Sequence, residues 1–336
     1  MHSRLPLTPD RIIEIASAFY ESATLFAALE SGLFTCLQET GGATADEVAA
    51  RCRLSPRGAR LLLNACTALA LLTKNGDRYA NAPVVALTLV PGAPHDLTRA
   101  IRYNCDVYPA WGRLPEFVRT GQPVESPALH LGDDPERTRR FVQAMHGRAL
   151  GIGRSVVPLL DLAGCRNLLD LAGGPGTYAV LMAQANPELR CTVLDLAPIV
   201  QVAAELIAQT GMSDRVRTLA GDYHAPSFPG DMDAVTIFGA LHQESPEAIR
   251  GILARAFAAL RPGGRIFILD LMTDATHTQP VFSALFAVNM ALTTENGWVF
   301  SDEELRGWLT EAGFIDCAIR PVPPPMPHWL ASARKA

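Results

Sequence analysis

From Arg166 onward the chain changes its hydrophobic period. Short apolar runs of strand length alternate with runs at helical spacing, the pattern of a parallel sheet covered on both faces. The predicted strands are Asn167 to Leu171, Cys191 to Leu194, Val216 to Ala220, Ala234 to Phe238 and Arg265 to Asp270. Helices are expected over Tyr178 to Asn186, Ile199 to Thr210, Pro246 to Leu260, Gln279 to Leu292 and Asp302 to Ala312. Phe314 to Arg320 and Trp329 to Arg334 read as a closing antiparallel pair. This half is an α/β, Rossmann-like doubly wound sheet.

The first part of the chain reads differently. Apolar residues recur at helical spacing from Asp10 to about Leu37, giving one or two helices ended by Gly32 or Gly41-Gly42. Thr44 and Glu47 form a capping box opening a helix from Ala45 to Arg51, and Ser55-Pro56 caps a second helix running to Leu71. Asn75-Gly76 is a type I′ hairpin signal, so the order is that of a winged helix. The second helix carries only Arg57 and Arg60 as cations, and its leucines and alanines on all sides predict packing or dimerisation rather than groove binding. Helical segments, one from Pro135 to about Leu150, join the two halves.

Composition narrows the partners. A chain of 336 residues with 49% apolar content holds two cores, and a formal charge of −5 argues against nucleic acid as the main partner. The seven cysteines are scattered, without a C-x-x-C pair or zinc spacing, and read as thiols of a reducing cytoplasm with no metal site. The start MHSRLPLTPD lacks the apolar run of a signal peptide. Ala275 to Thr294, uncharged but broken by polar residues and Pro280, argues against a membrane span, and Pro323-Pro324-Pro325 is the one low-complexity run.

The chemistry concentrates at Asp170-Leu171-Ala172-Gly173-Gly174-Pro175-Gly176-Thr177, where a predicted strand ends in a glycine turn before a helix. Such a turn lets a ligand approach the backbone at the carboxyl edge of an open sheet. Gly174-x-Gly176-x-x-Ala179, with Asp195 19 residues beyond Gly176, also fits a dinucleotide fingerprint, so this motif alone leaves the cofactor open. Asp170 and Asp222 equally fit a helix cap and an ordinary turn.

Asp170, Asp195 after the second strand, Gly221-Asp222 after the third and Leu260-Arg261-Pro262-Gly263-Gly264-Arg265 before the fifth together resemble the S-adenosylmethionine-dependent methyltransferases. With the winged-helix half included, nearly the whole chain is similar to the plant caffeate-type and bacterial small-molecule O-methyltransferases, which include hydroxyindole and carotenoid enzymes. The resemblance implies a class I methyltransferase sheet, an α-helical winged-helix dimerisation domain and a homodimer. It divides the chain into a dimerisation domain over 1–95, a helical linker contributing to the acceptor pocket over 96–160, and a cofactor-binding domain over 161–336. A cationic sulfonium donor suits acids beside the turn better than a pyrophosphate does.

By the same resemblance, Asp195 accepts the ribose hydroxyls, Asp222 receives the adenine amine, and Asp170, Gly173, Gly174 and Gly176 shape the turn, with Leu196 and Tyr223 as further cofactor contacts. His242 falls where the family has its general base, and Asp270 where an acid orients it. An imidazole, with an ordinary pKa near 6.5, takes a hydroxyl proton at neutral pH. Phe141, Met145, Phe286 and Met290 match acceptor-contacting positions and fit core packing equally well. His146, Arg148, Tyr103 and Tyr108 are polar candidates, with Arg148 the partner for an acceptor carboxylate. The family's second acid is Val299 here, its adenine-end lysine is Phe238, its first turn glycine is Ala172, and Gln243-Glu244 replaces the Asp-Trp after the histidine. Transfer to a hydroxyl is expected. The alternatives are transfer to sulfur, nitrogen or carbon, a ligand-sensing winged-helix regulator, and a nicotinamide reductase.

Overall fold

The computed structural model describes residues 7–126, 128–324 and 326–336, with only the backbone of Leu129 and His130. The chain's first six residues and Pro325, used in the readings above, lie outside these. Contacts divide the chain into two units, 1–101 and 102–336.

The first unit opens with three helices rather than one or two: α1 (Pro9–Ser17), α2 (Phe19–Glu30) and α3 (Leu33–Thr40). Gly32 and Gly41 both adopt the left-handed conformation at the boundaries of α3, so each of the two expected stop signals is used. A two-residue strand β1 (Ala43–Thr44) precedes α4 (Ala45–Arg51), whose capping box is formed in both directions. Helix α5 (Pro56–Ala68) is capped by Ser55 and ends three residues before Leu71, because Ala70 turns left-handed and the Leu71 amide closes back on the Cys66 carbonyl. Strands β2 (Leu72–Asn75) and β3 (Arg78–Asn81) form the wing, with β1 as third strand and α6 (Pro83–Thr88) after it.

Two expectations are corrected here. Asn75 pairs with Arg78, so the hairpin turns on Gly76-Asp77, with positive φ at Gly76 and not at Asp77. That is the type II′ pattern, not type I′ about Asn75-Gly76. Helix α5 is not buried all round. Ala59, Leu63 and Cys66 enter the core, while Leu61 is exposed.

The second unit begins within α7 (Thr98–Trp111) and continues through α8 (Leu114–Thr120), α9 (Ala128–Leu131) and α10 (Pro135–Val156), the last a turn and a half longer than expected. The sheet is then built from β4 (Asn167–Leu171), β5 (Arg190–Asp195), β6 (Val216–Ala220), β7 (Met232–Phe238), β8 (Leu260–Asp270), β9 (Phe314–Pro321) and β10 (Trp329–Lys335). Its order is β6-β5-β4-β7-β8-β10-β9, with β4 to β8 parallel and β10 antiparallel to both neighbours. Burial follows that order: β7, at the centre, is buried at every position, whereas the edge strands β6 and β9 are largely exposed.

Two layers cover the sheet. On one face Leu169, Val235, Ile237, Ile266 and Ile268 pack with residues of α13 (Pro246–Ala259) and α15 (Asp302–Glu311), including Trp308 and Leu309. On the other, Leu168, Val193, Ala234 and Phe267 pack with α11 (Thr177–Ala185) and Ile207 of α12 (Ala197–Gln209). The segment Ala275 to Thr294 carries α14 (Val281–Thr293), an apolar helix of 13 residues.

Helix α1 has no buried residue, and Ile12, Ile13, Ile15 and Phe19 are more than half exposed. By length and composition alone Pro9–Glu30 is apolar enough to cross a membrane, which the sequence reading overlooked. It nevertheless carries Asp10, Arg11, Glu14, Glu21 and Glu30, and such an uncovered apolar face fits a second copy of the chain. Replacing Ile12 and Ile15 with Asp is expected to halve the mass seen in sedimentation while leaving the far-UV circular dichroism unchanged, since neither side chain belongs to a core. An unchanged mass would show that another face holds the dimer.

Candidate active site

Because β4 to β8 are parallel, their carboxyl ends bring Asp170, Asp195, the Asp222 turn, the His242 turn and Asp270 to one edge of the sheet. The antiparallel β10 starts at that edge, with Trp329 opposite Asp270.

At the tip of β4 the chain makes its tight turn. Ala172, Gly174 and Gly176 all have positive φ, so an alanine occupies a left-handed position the family gives to glycine. A Cβ on Gly173 would lie 2.6 Å from an oxygen of Asp170 and 2.8 Å from Val193, and one on Gly176 would lie 2.9 Å from Ile207. Asp195 holds the turn from the next strand: its Oδ2 accepts the Gly174 amide at 2.8 Å, and its Oδ1 accepts the Leu196 amide at 2.7 Å. The Leu196 side chain joins Ile199, Val202 and Leu206 of α12 and Phe141 of α10 in a small apolar cluster.

Asp170 is fully buried. One oxygen accepts the Thr236 hydroxyl at 2.6 Å and the other has no hydrogen-bond partner among the described residues. Burial, aided by the negative charge of Asp195, pushes its carboxyl up to about 7, and burial likewise pushes Asp195 up to about 6. Two carboxyls starved of positive charge beside a side-chain-free turn fit a cationic nucleoside, and they would repel a pyrophosphate.

Asp222 is half exposed. Its Oδ1 accepts the His224 amide at 2.8 Å and lies 2.9 Å from His224 Nδ1. Nε2 of His224 lies 2.9 Å from Glu244, whose other oxygen accepts the Tyr223 hydroxyl at 2.6 Å. Partial burial works against charge on His224, but the carboxylates of Glu244 and Asp222 outweigh it and raise its pKa. The Tyr223 hydroxyl is thus committed to Glu244, and its carbonyl accepts from the Arg255 guanidinium at 2.8 Å.

The third constellation lies beyond β7. His242 sits in a short 3-10 turn, Leu241–Gln243, and is buried. Its Nδ1 lies 2.6 Å from Asp270 Oδ1, which also accepts the Leu271 amide at 2.8 Å, while Asp270 Oδ2 accepts the His242 amide at 3.3 Å. An ionised carboxylate only accepts, so Nδ1 carries the hydrogen and Nε2 presents a lone pair. Trp298 secures the turn by donating its amide to the His242 carbonyl at 2.9 Å and its indole N–H to the Glu244 carbonyl at 2.8 Å. The neighbouring Val299 is buried, so this position is apolar.

The expected acceptor residues separate. Phe286 on α14 stands edge-on to His242 with centroids 5.2 Å apart, and Met290 is buried one turn further along. Phe141 packs instead toward α12, 6.3 Å from the Tyr103 ring, and Met145 is half-buried on α10. His146 Nδ1 lies 2.7 Å from the Thr177 hydroxyl, which ties α10 to the end of the glycine turn. Arg148 lies over the Tyr103 ring at 4.5 Å and donates to Asn104 at 2.6 Å. Asn289 of α14 reaches the Tyr103 hydroxyl at 3.4 Å and accepts the Trp111 indole at 2.9 Å, whereas Tyr108 is exposed. Phe238 packs edge-on against Tyr178 at 5.0 Å. Glu244, Tyr178, Trp298 and His328 were not anticipated as site residues. Among the described residues no cluster suited to a metal ion is present.

Two outcomes are expected of this geometry. Gly173→Ala should weaken S-adenosylhomocysteine binding at least tenfold in calorimetry, because the added Cβ displaces the Asp170 carboxyl. Binding of the cationic donor needs Asp170 and Asp195 ionised, so its affinity should rise with pH between 5.5 and 7.5 and level off above their raised pKa values. The uncharged-sulfur product should show a smaller rise, and equal slopes would contradict the electrostatic reading.

Known proteins agree with this architecture. A family model for the O-methyltransferase domain matches residues 125–315, and one for the O-methyltransferase dimerisation domain matches residues 13–91, which include most of α1. The chain is 35% identical to 3-hydroxy-5-methyl-1-naphthoate 3-O-methyltransferase of Streptomyces sahachiroi, over 91% of this chain and 89% of that one. It is 32% identical to N,N-dimethyltransferase OxyT of Streptomyces rimosus, over 90% of each. Human N-acetylserotonin methyltransferase, solved in complex with S-adenosylmethionine, superposes with a TM-score of 0.88 at 26% identity over the whole of both chains. The sheet, its acid-lined glycine turn and these likenesses together make the chain a member of the S-adenosylmethionine-dependent small-molecule O-methyltransferase family, with that family's dimerisation domain at its N-terminus.

Proposed function

We propose that the protein methylates a hydroxyl on a flat, apolar aromatic metabolite of the fused-ring phenol kind, with His242 as general base and Asp270 as the acid that orients it. The observation that carries this reading is the buried His242–Asp270 pair, which leaves Nε2 with a lone pair at the sheet edge that also holds Asp170 and Asp195.

When bound, S-adenosylmethionine would supply an electrophilic methyl carbon, whose bond to sulfur breaks as the in-line bond to the acceptor oxygen forms, the electron pair leaving on S-adenosylhomocysteine. A phenol near pKa 10 is a weak nucleophile until its proton leaves, and His242 Nε2 is placed to take it. Asp270 then faces an imidazolium across 2.6 Å and stabilises it. Phe286, edge-on to that imidazole, and Met290 give the acceptor a flat apolar wall. Met145 extends it from α10, Phe141 being turned toward α12, and His146 fixes that helix to the turn at Thr177. Asp195 is assigned the ribose hydroxyls, since each of its oxygens keeps a lone pair beyond its backbone bond. Asp222 takes the adenine amine beside Leu196 and Tyr223, and Asp170 with Gly173, Gly174 and Gly176 shapes the methionine end. The division of labour is residues 1–95 for dimerisation, 96–160 for part of the acceptor wall and 161–336 for the cofactor. Seven free cysteines support a reducing, cytoplasmic setting.

Similarity to an N,N-dimethyltransferase favours a second reading, transfer to nitrogen, in which a neutral amine needs no strong base. His242→Gln and Asp270→Asn separate the two. Hydroxyl transfer predicts a kcat loss of about 10²- to 10⁴-fold for His242→Gln with S-adenosylhomocysteine affinity unchanged, and a smaller loss for Asp270→Asn. A loss below about tenfold for both variants would favour nitrogen.

A further inference from the structure

At the start of β10 lies an imidazole that the proposed chemistry leaves unused. His328 immediately precedes Trp329, the residue paired with Asp270, so the fold delivers it to the sheet edge that carries the His242–Asp270 pair. Its backbone is pinned, because the His328 carbonyl accepts the Val322 amide at 2.8 Å. The ring is half-buried, and the charged or titratable groups whose fields reach it are Asp270, His242 and Arg148. Among the described residues, its shielded Nδ1 has no hydrogen-bond partner. Burial, aided by the positive charge of Arg148 and opposed by the pull of Asp270, drives its pKa down to about 4, so at neutral pH it is an uncharged imidazole.

The tautomer follows from that enclosure. A shielded N–H without an acceptor is costlier than a shielded lone pair, which places the lone pair on Nδ1 and the hydrogen on Nε2. His328 is then the complement of His242: one ring carries a proton-accepting nitrogen, the other a hydrogen-bond donor. We infer that His328 is a specificity-determining residue that donates from Nε2 to a second oxygen of the acceptor, a carbonyl or carboxylate beside the hydroxyl addressed by His242. Arg148, whose field reaches the same ring, adds positive potential that favours the carboxylate form. A hydroxyaromatic with no second oxygen leaves this donor unmatched and binds more weakly.

This inference rests on the His242 side of the site being the acceptor side, and its test is kept apart from that reading by measuring binding rather than turnover. The probes are 2-naphthol, 2-hydroxy-1-naphthaldehyde and 3-hydroxy-2-naphthoate, titrated by calorimetry into full-length enzyme saturated with S-adenosylhomocysteine. The wild type is expected to bind the aldehyde and the carboxylate at least tenfold more tightly than 2-naphthol. His328→Phe should remove that preference while leaving 2-naphthol within threefold, and His328→Gln, which keeps an N–H donor, should restore part of it. Equal weakening of all three probes by His328→Phe, or no change in any, overturns the proposal. Failure of all three probes to bind wild-type enzyme also overturns it, while a normal S-adenosylhomocysteine titration leaves the cofactor reading intact.

Discussion

A buried carboxylate sets the geometry of the turn that carries His242. Asp270 is almost wholly buried at the tip of β8, and its two oxygens gather the His242 imidazole, the His242 amide and the Leu271 amide. Breaking such a buried pair by removing one partner typically costs about 3–5 kcal/mol, so the 3-10 turn carrying His242 is held in place as firmly as the sheet itself. The sheet provides that rigidity. Strand β8 lies between β7 and β10, its inward residues Ile266 and Ile268 are fully buried, and Trp298 clamps the turn from the far side through two hydrogen bonds.

The same edge holds charge in two different states. Asp270 gathers three N–H donors, whereas Asp170 receives one hydroxyl and Asp195 two amides, and burial pushes both of these carboxyls upward. On the proposed reading, a bound cationic donor relieves the Asp170 and Asp195 carboxyls. Glu244 ties the two regions together: its side chain engages Tyr223 and His224 beside Asp222, and its carbonyl receives Trp298 two residues beyond His242. The departure from the family's Asp-Trp dipeptide thus has a structural use, as an acid bridging the Asp222 turn to the His242 turn.

Much of this was legible in the sequence, because the signals were local. Alternating period set the sheet, and β4 and β6 fall on their predicted spans. The Thr44–Glu47 capping box and the Ser55-Pro56 cap fixed helix starts through hydrogen bonds spanning three residues. Errors arose where tertiary structure decided. β8 begins at Leu260 rather than Arg265 because Leu260 pairs with Met232, a contact invisible to periodicity. The wing turn moved one residue because register with β3 placed Asn75 opposite Arg78. α5 looked apolar on every side, yet Leu61 finds no cover within the chain. At the site, His242 and Asp270 lie 28 residues apart and were paired only through resemblance. His328 carried no spacing signal, since an antiparallel strand brings it to the edge from the opposite direction.

The central claim is that Asp270 fixes His242 as a neutral base with its hydrogen on Nδ1. Imidazole 15N chemical shifts of histidine-labelled enzyme, assigned by comparison with the His242→Gln spectrum, test it directly. The account predicts for His242 a protonated Nδ1 and an unprotonated Nε2 near pH 8. A hydrogen on Nε2 with a bare Nδ1 at that pH would contradict it.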